Sequence, residues 1–230
     1  MMGCVTNMNN LNLLFQGDSI TDCGRDKELN ECNRSLGMGY VTLIASRLLC
    51  DYPGCNIYNK GVSGNRIADM YARWQEDALN IPFNVISILN GINDVGFGLR
   101  LNCGASAEKY KFVYDRILYE TKEAKPDADI ILCQPFIVKR HFESEFGDDI
   151  YNNWEKWESE IINRGIIVRE LADKYNCTYV PFFDAIKKAL LMAPAEHWST
   201  DCVHLTPAGH EILARTWLET AMPVLRKYLK

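Results

Sequence analysis

Five short apolar runs alternate along the chain with longer amphipathic stretches, and this alternation limits the possible folds more than any other feature. The runs are residues 11–15, 56–59, 84–89, 129–133 and 178–182. Each is short and flanked by Gly, Pro or Asn, as buried strands are. Between them the sequence predicts helices over 36–51, 66–79, 106–124, 150–175, 184–192 and 207–228. Within the first, Val41, Ile44, Ala45 and Leu48 recur at helical spacing. Ser106 is a candidate N-cap, and Pro207 suits a first helical turn. Pro181 places the fifth strand at a sheet edge, and Pro223 is expected to kink or split the last helix. Residues 93–104, with three glycines, read as a loop, and 136–149 has no clear period. The pattern predicts one α/β domain over residues 1–230, with a mostly parallel sheet covered on both faces.

In such sheets ligands collect beyond the carboxyl ends of the strands. Three unusual stretches fall there: Gly17-Asp18-Ser19, Gly61-Val62-Ser63-Gly64-Asn65 and Gly91-Ile92-Asn93-Asp94. Ser19, at the end of the first strand, is the candidate nucleophile. A serine nucleophile needs a base, an acid that orients the base, and donors for the oxyanion. Asp201 precedes His204 by three residues in a polar loop before the last helix. In a tight loop that spacing lets the carboxylate reach Nδ1 and leaves Nε2 facing outward. The oxyanion candidates are the backbone N–H of Ser19, Gly64 and the side-chain amide of Asn93. Taken singly, each has an ordinary use: a surface ion pair, a turn glycine, a capping asparagine. Ser63 sits in a near match to the G-x-S-x-G elbow, but its fifth position is Asn65, so Ser63 reads as a turn residue. Asp18 and Asp94 read as loop-structuring carboxylates, His197 as a loop residue and His141 as exposed. His204 and His210 have no evident third partner for a metal, and neither metal nor cofactor is expected.

The net charge of -5, with scattered Lys and Arg, weighs against nucleic acid. No apolar run approaches the ~20 residues that span a bilayer. The first ten residues lack the basic start and apolar core of a secretory leader. The nine cysteines include no C-x-x-C spacing, which points to reduced thiols in a cytoplasm rather than a disulfide or zinc scaffold.

The three stretches, with Asp201-Cys202-Val203-His204, resemble the motif blocks of the SGNH hydrolases, also called GDSL esterases, in order and spacing. The resemblance implies a three-layer α/β/α sandwich with a flavodoxin-like sheet of five parallel strands. It implies Ser19 as nucleophile, the Ser19 N–H, Gly64 and Asn93 as oxyanion donors, and Asp201 with His204 completing the triad. A narrower likeness runs through residues 17–25, 36–41, 59–65 and 72–77, which are similar to intracellular bacterial acetylxylan esterases. It implies removal of acetyl groups from sugars, short xylo-oligosaccharides above all, and a capacity to form homo-oligomers. Those esterases carry a Trp directly before the triad Asp. Here Thr200 stands in that place and Trp198 lies two residues earlier, as the candidate for sugar stacking. Two other readings stay open: a lysophospholipase, thioesterase or arylesterase with the same mechanism, and a non-catalytic carbohydrate-binding relic.

Overall fold

A computed structural model of the protein describes residues 11–229. The strands are β1 (Asn12–Gly17), β2 (Asn56–Asn59), β3 (Val85–Leu89), β4 (Asp129–Cys133) and β5 (Thr178–Val180). They form one parallel sheet in the order β2-β1-β3-β4-β5. This is the flavodoxin-like order. The helices, in chain order, are α1 (Ser19–Asp22), α2 (Tyr40–Asp51), α3 (Ile67–Ala72), α4 (Ile92–Leu101) and α5 (Ala107–Ala124). They continue with α6 (Glu145–Asn152), α7 (Trp154–Lys174), α8 (Phe182–Ala189), α9 (Ala195–Trp198) and α10 (Pro207–Leu225).

Successive strand residues feed opposite cores, as the twofold period of a strand requires. Leu13, Phe15, Val85, Leu89 and Ile131 join a core with residues of α2, α8 and α10, such as Ile44, Ile186 and Leu213. Leu14, Ile86, Ile88, Ile130 and Leu132 join the other, with Met70 of α3, Ile117 of α5 and Val168 of α7. Three layers result, and the sheet is buried on both faces.

Trp217 of α10 anchors the first core. Its ring is fully buried, its centroid lies 5.3 Å from that of Phe15, and Nε1–H donates to Ser87 Oγ in the middle of β3 at 2.9 Å. Trp217→Ala opens a cavity and takes a donor from a buried hydroxyl. It should cost about 3–5 kcal/mol, read as a lowered urea midpoint.

Several elements differ from the sequence reading. Residues 93–104 are mostly helix: α4 runs to Leu101, and Gly96 within it and Gly104 just past it serve close packing. A Cβ on Gly96 would meet the Trp157 ring at 3.3 Å, and one on Gly104 would strike the Asp94 carbonyl oxygen. The expected helix over 150–175 is broken at Asn153, whose side-chain amide donates to both the carbonyl and the carboxylate of Asp149. Such local bonds compete with the helical ladder. The helix over 66–79 ends at Ala72 and resumes as a π-turn over Gln75–Leu79. Part of 136–149 is ordered into α6, capped by Ser144. Pro223 falls in the last turn of α10 and does not split it. β5 does lie at an edge, with Pro181 between it and α8.

The eight cysteines among the described residues are free thiols. Among the same residues no helix is long and apolar enough to cross a membrane.

Candidate active site

The residues that follow β1 and β3 meet the loop that enters α10. At the end of β1, Asp18 caps α1: its Oδ1 accepts from the Ile20 N–H at 3.0 Å. Its carbonyl accepts from the N–H groups of Thr21 and Asp22. Ser19 therefore stands at the first helical position, where a backbone N–H has no intrahelical acceptor. Burial pushes the Asp18 carboxyl up to about 7, against the Ile20 N–H and the nearby His204.

The loop before α10 is closed on itself. Ser199 and Leu205 form an antiparallel bridge, and the Thr200 N–H donates to the His204 carbonyl at 2.8 Å. Inside it Asp201 Oδ1 accepts from the N–H groups of Val203 and His204, at 2.9 and 2.7 Å. Its Oδ2 lies 2.6 Å from His204 Nδ1. The turn puts Cys202 at φ +92°, a strained position for a non-glycine residue, and the Val138 N–H holds its carbonyl at 2.7 Å. His204 Nε2 then lies 2.9 Å from Ser19 Oγ. The carboxylate can only accept, so Nδ1 carries the ring proton and Nε2 is the acceptor facing the serine hydroxyl.

The charges are tuned by the same contacts. The Asp201 hydrogen bond is the main reason the His204 pKa lies above its ordinary value, against burial. Burial acts to raise Asp201, but the bonds from His204 and from the backbone outweigh it and hold this carboxyl below its usual range.

At the end of β2, Gly64 adopts φ +82°, which favours glycine. A Cβ there would enter open space, so the backbone conformation, not crowding, calls for the glycine. The next carbonyl, of Asn65, accepts from Asn90 Nδ2 at 3.0 Å and from Asn93 Nδ2 at 3.2 Å. That leaves Asn93 a second amide hydrogen to offer. Ser63 is committed elsewhere: its hydroxyl and N–H both donate to Asp22 Oδ2, at 2.7 and 3.0 Å. Asp94 is buried and accepts from the Ile67 N–H at 2.9 Å, tying α4 to α3. Burial pushes its carboxyl up to about 7.

Ser19, Asn93 and His204 meet in one small pocket of about 70 Å³. Ile92, Phe97 and Val203 give it apolar walls, and Arg100 also lines it. The sequence reading missed the Phe97 wall because it took 93–104 for a loop. A signal was present: Ile92, Val95 and Leu99 recur at helical spacing.

The remaining candidates lie apart from this pocket. His210 is buried, accepts the Tyr40 N–H at Nδ1 and lies 3.5 Å from Cys23 Sγ; burial lowers its pKa to about 4. It is a core acceptor, and no group of three or more His, Cys, Asp or Glu among the described residues is placed to hold a metal. His141 and His197 are exposed. Trp198 belongs to α9 and is only 6% exposed. Its Nε1–H donates to the Ala193 carbonyl at 3.1 Å, and its ring and that of His197 meet at right angles, so little of this candidate for sugar stacking is open to solvent.

This fold and motif set are those of a large hydrolase class. Residues 15–212 match the model of the GDSL-like Lipase/Acylhydrolase family, so the chain belongs to that family and is a carboxylic ester hydrolase. It is 35% identical over 211 residues to an acetylxylan esterase of Geobacillus stearothermophilus, covering 90% of this chain and 91% of that one. The crystal structure of Axe2, an acetylxylan esterase from the same organism, superposes with a TM-score of 0.78 at 31% identity, over 92% of this chain and 94% of that one. Two solved variants described as catalytic mutants of Axe2 replace a serine and an aspartate by alanine. A protein from Parabacteroides merdae described as a GDSL-like lipase superposes with a TM-score of 0.84 at 35% identity, over 93% and 96% of the two chains.

Proposed function

We propose that this chain is a serine esterase that removes acetyl groups from sugars, short xylo-oligosaccharides among them, through an acyl-enzyme on Ser19. The observation that carries this reading is the line of short hydrogen bonds from Asp201 through His204 to Ser19, ending at the small pocket. In the first step Ser19 Oγ attacks the ester carbonyl while His204 Nε2 takes its proton. Asp201 stays ionised and stabilises the imidazolium. The Ser19 and Gly64 N–H groups and Asn93 Nδ2 face the developing oxyanion. His204 then returns the proton to the departing sugar oxygen. Water repeats the sequence, and acetate leaves.

The acyl group follows from size. Pockets for drug-sized ligands run from ~300 Å³ upward, and the one beside Ser19 measures about 70 Å³. That space suits an acetyl group and turns away a long chain. The sugar follows from the relative described as an acetylxylan esterase. Since the Trp198 ring is covered, its role in this reading is to hold the loop that carries Asp201 and His204, not to stack on a sugar. The chain works as one domain in the cytoplasm, free or as a homo-oligomer.

A chain-length series of p-nitrophenyl esters, with acetate release from acetylated xylo-oligosaccharides, tests the proposal. Acetyl should exceed octanoyl in kcat/KM by at least about tenfold, since even one misfitting methylene is worth about 1–3 kcal/mol. A preference for octanoyl would replace the acetyl-sugar reading with a lysophospholipase or thioesterase.

A further inference from the structure

We propose that Arg73 is a positioning residue whose guanidinium fastens the turn carrying Ser19 to the turn carrying Gly64 and so sets the oxyanion hole. The inference rests on the roles proposed above for those two residues.

Three nitrogens of one side chain reach two of the strand ends that build the site. Nη2 donates to the Gly17 carbonyl at 3.3 Å, at the last residue of β1. Nη1 donates to the Lys60 carbonyl at 2.8 Å, just after β2. Nε donates to Asn65 Oδ1 at 2.7 Å, at the far end of the same turn. Asn65 is also the residue whose carbonyl receives Asn93 Nδ2. The groups around all three oxyanion donors are thereby referenced to a single planar cation.

The local backbone and charge agree with this role. α3 stops at Ala72, Arg73 follows, and the chain then enters the π-turn, a rare irregularity frequent at functional sites. The Arg73 side chain is only 17% exposed, and Asp77 Oδ2, 3.1 Å from Nη1, supplies its counter-charge. A cation buried to this degree is stable only when its donors are paired. A lysine ammonium cannot reproduce the fork, because it is a point charge on a flexible stem.

The test compares Arg73→Lys and Asn65→Ala with the parent protein on p-nitrophenyl acetate. Both should lose about 10- to 100-fold in kcat with KM changed less than about twofold, the cost of reacting groups displaced by roughly 1 Å. The acid limb of the pH–rate profile should stay in place, because the Asp201–His204 hydrogen bond that sets it is untouched. In Arg73→Ala, millimolar ethylguanidinium should restore part of the lost kcat. If Arg73→Lys does not fold, Asn65→Ala still removes one acceptor from a partly exposed turn. Unchanged kcat in the folded variants, or a loss confined to KM, would overturn the proposal. A fluorophosphonate probe separates the two levels: failure to label Ser19 in the parent overturns the underlying roles and this inference with them. Labelling of the parent together with full activity in the variants overturns the role of Arg73 alone.

Discussion

Ser19→Ala is expected to fold as the parent does and to turn over p-nitrophenyl acetate about a millionfold more slowly, the size of loss seen when a triad serine is removed. The Ser19 side chain is partly exposed, and its hydroxyl meets His204 Nε2 across the pocket. Removing it takes nothing from either core, so the thermal midpoint should move by no more than about 2 °C. The two measurements belong together, since lost activity in an unfolded protein would say nothing about the nucleophile. Parental activity in this variant would end the serine-esterase reading. Activity lost without loss of fold would also remove the binding-relic alternative.

Asp201→Asn should come next in size, at about 10⁴-fold in kcat, because it changes the ring tautomer rather than the loop. Asn Oδ1 can still accept from the N–H groups of Val203 and His204, so the closed turn persists. Its amide, however, presents a donor to His204 Nδ1. The ring then protonates at Nε2 and can no longer accept from Ser19. The pH dependence gives an independent check. His204 must be neutral to act as base, so kcat/KM rises with pH through its pKa and levels off above it. In the parent that limb lies above the ordinary imidazole value, because the Asp201 hydrogen bond favours the charged ring. Without the carboxylate the limb of the residual activity should move to lower pH. A profile from about pH 5 to about pH 9 shows it, and an unmoved limb would contradict the role given to Asp201.

What the sequence made legible was what is written locally. The strands over 56–59 and 129–133 match β2 and β4 residue for residue, because short apolar runs between turn residues have few other uses. The pairing of Asp201 with His204 was readable for the same reason: three residues in a tight turn leave few geometries. The opposite held wherever one residue type has two uses. The glycines at 96, 98 and 104 look like a loop, yet they let a helix and a returning chain approach closely. Asn153 reads as an ordinary helical position until its side chain is seen to bind Asp149. Trp198 has a sequence position near the site, but position does not say which way a ring turns. Arg73 is the furthest from legibility: its partners Gly17 and Asn65 come from the end of β1 and the turn after β2, and no period or motif announces such a bond.

The closed loop before α10 has a consequence for how the machine can fail. Acid and base ride on one small ring of backbone pinned by the Ser199–Leu205 bridge, so their mutual distance is set within that ring. The nucleophile stands on α1 just past the end of β1, and its bond to the base spans 185 residues of chain. A drift of the loop against the sheet therefore leaves the Asp201–His204 couple assembled, strains the Val138–Cys202 bond and opens the gap between His204 and Ser19. Partial damage in this protein would take the form of an intact, correctly oriented base that has lost its serine.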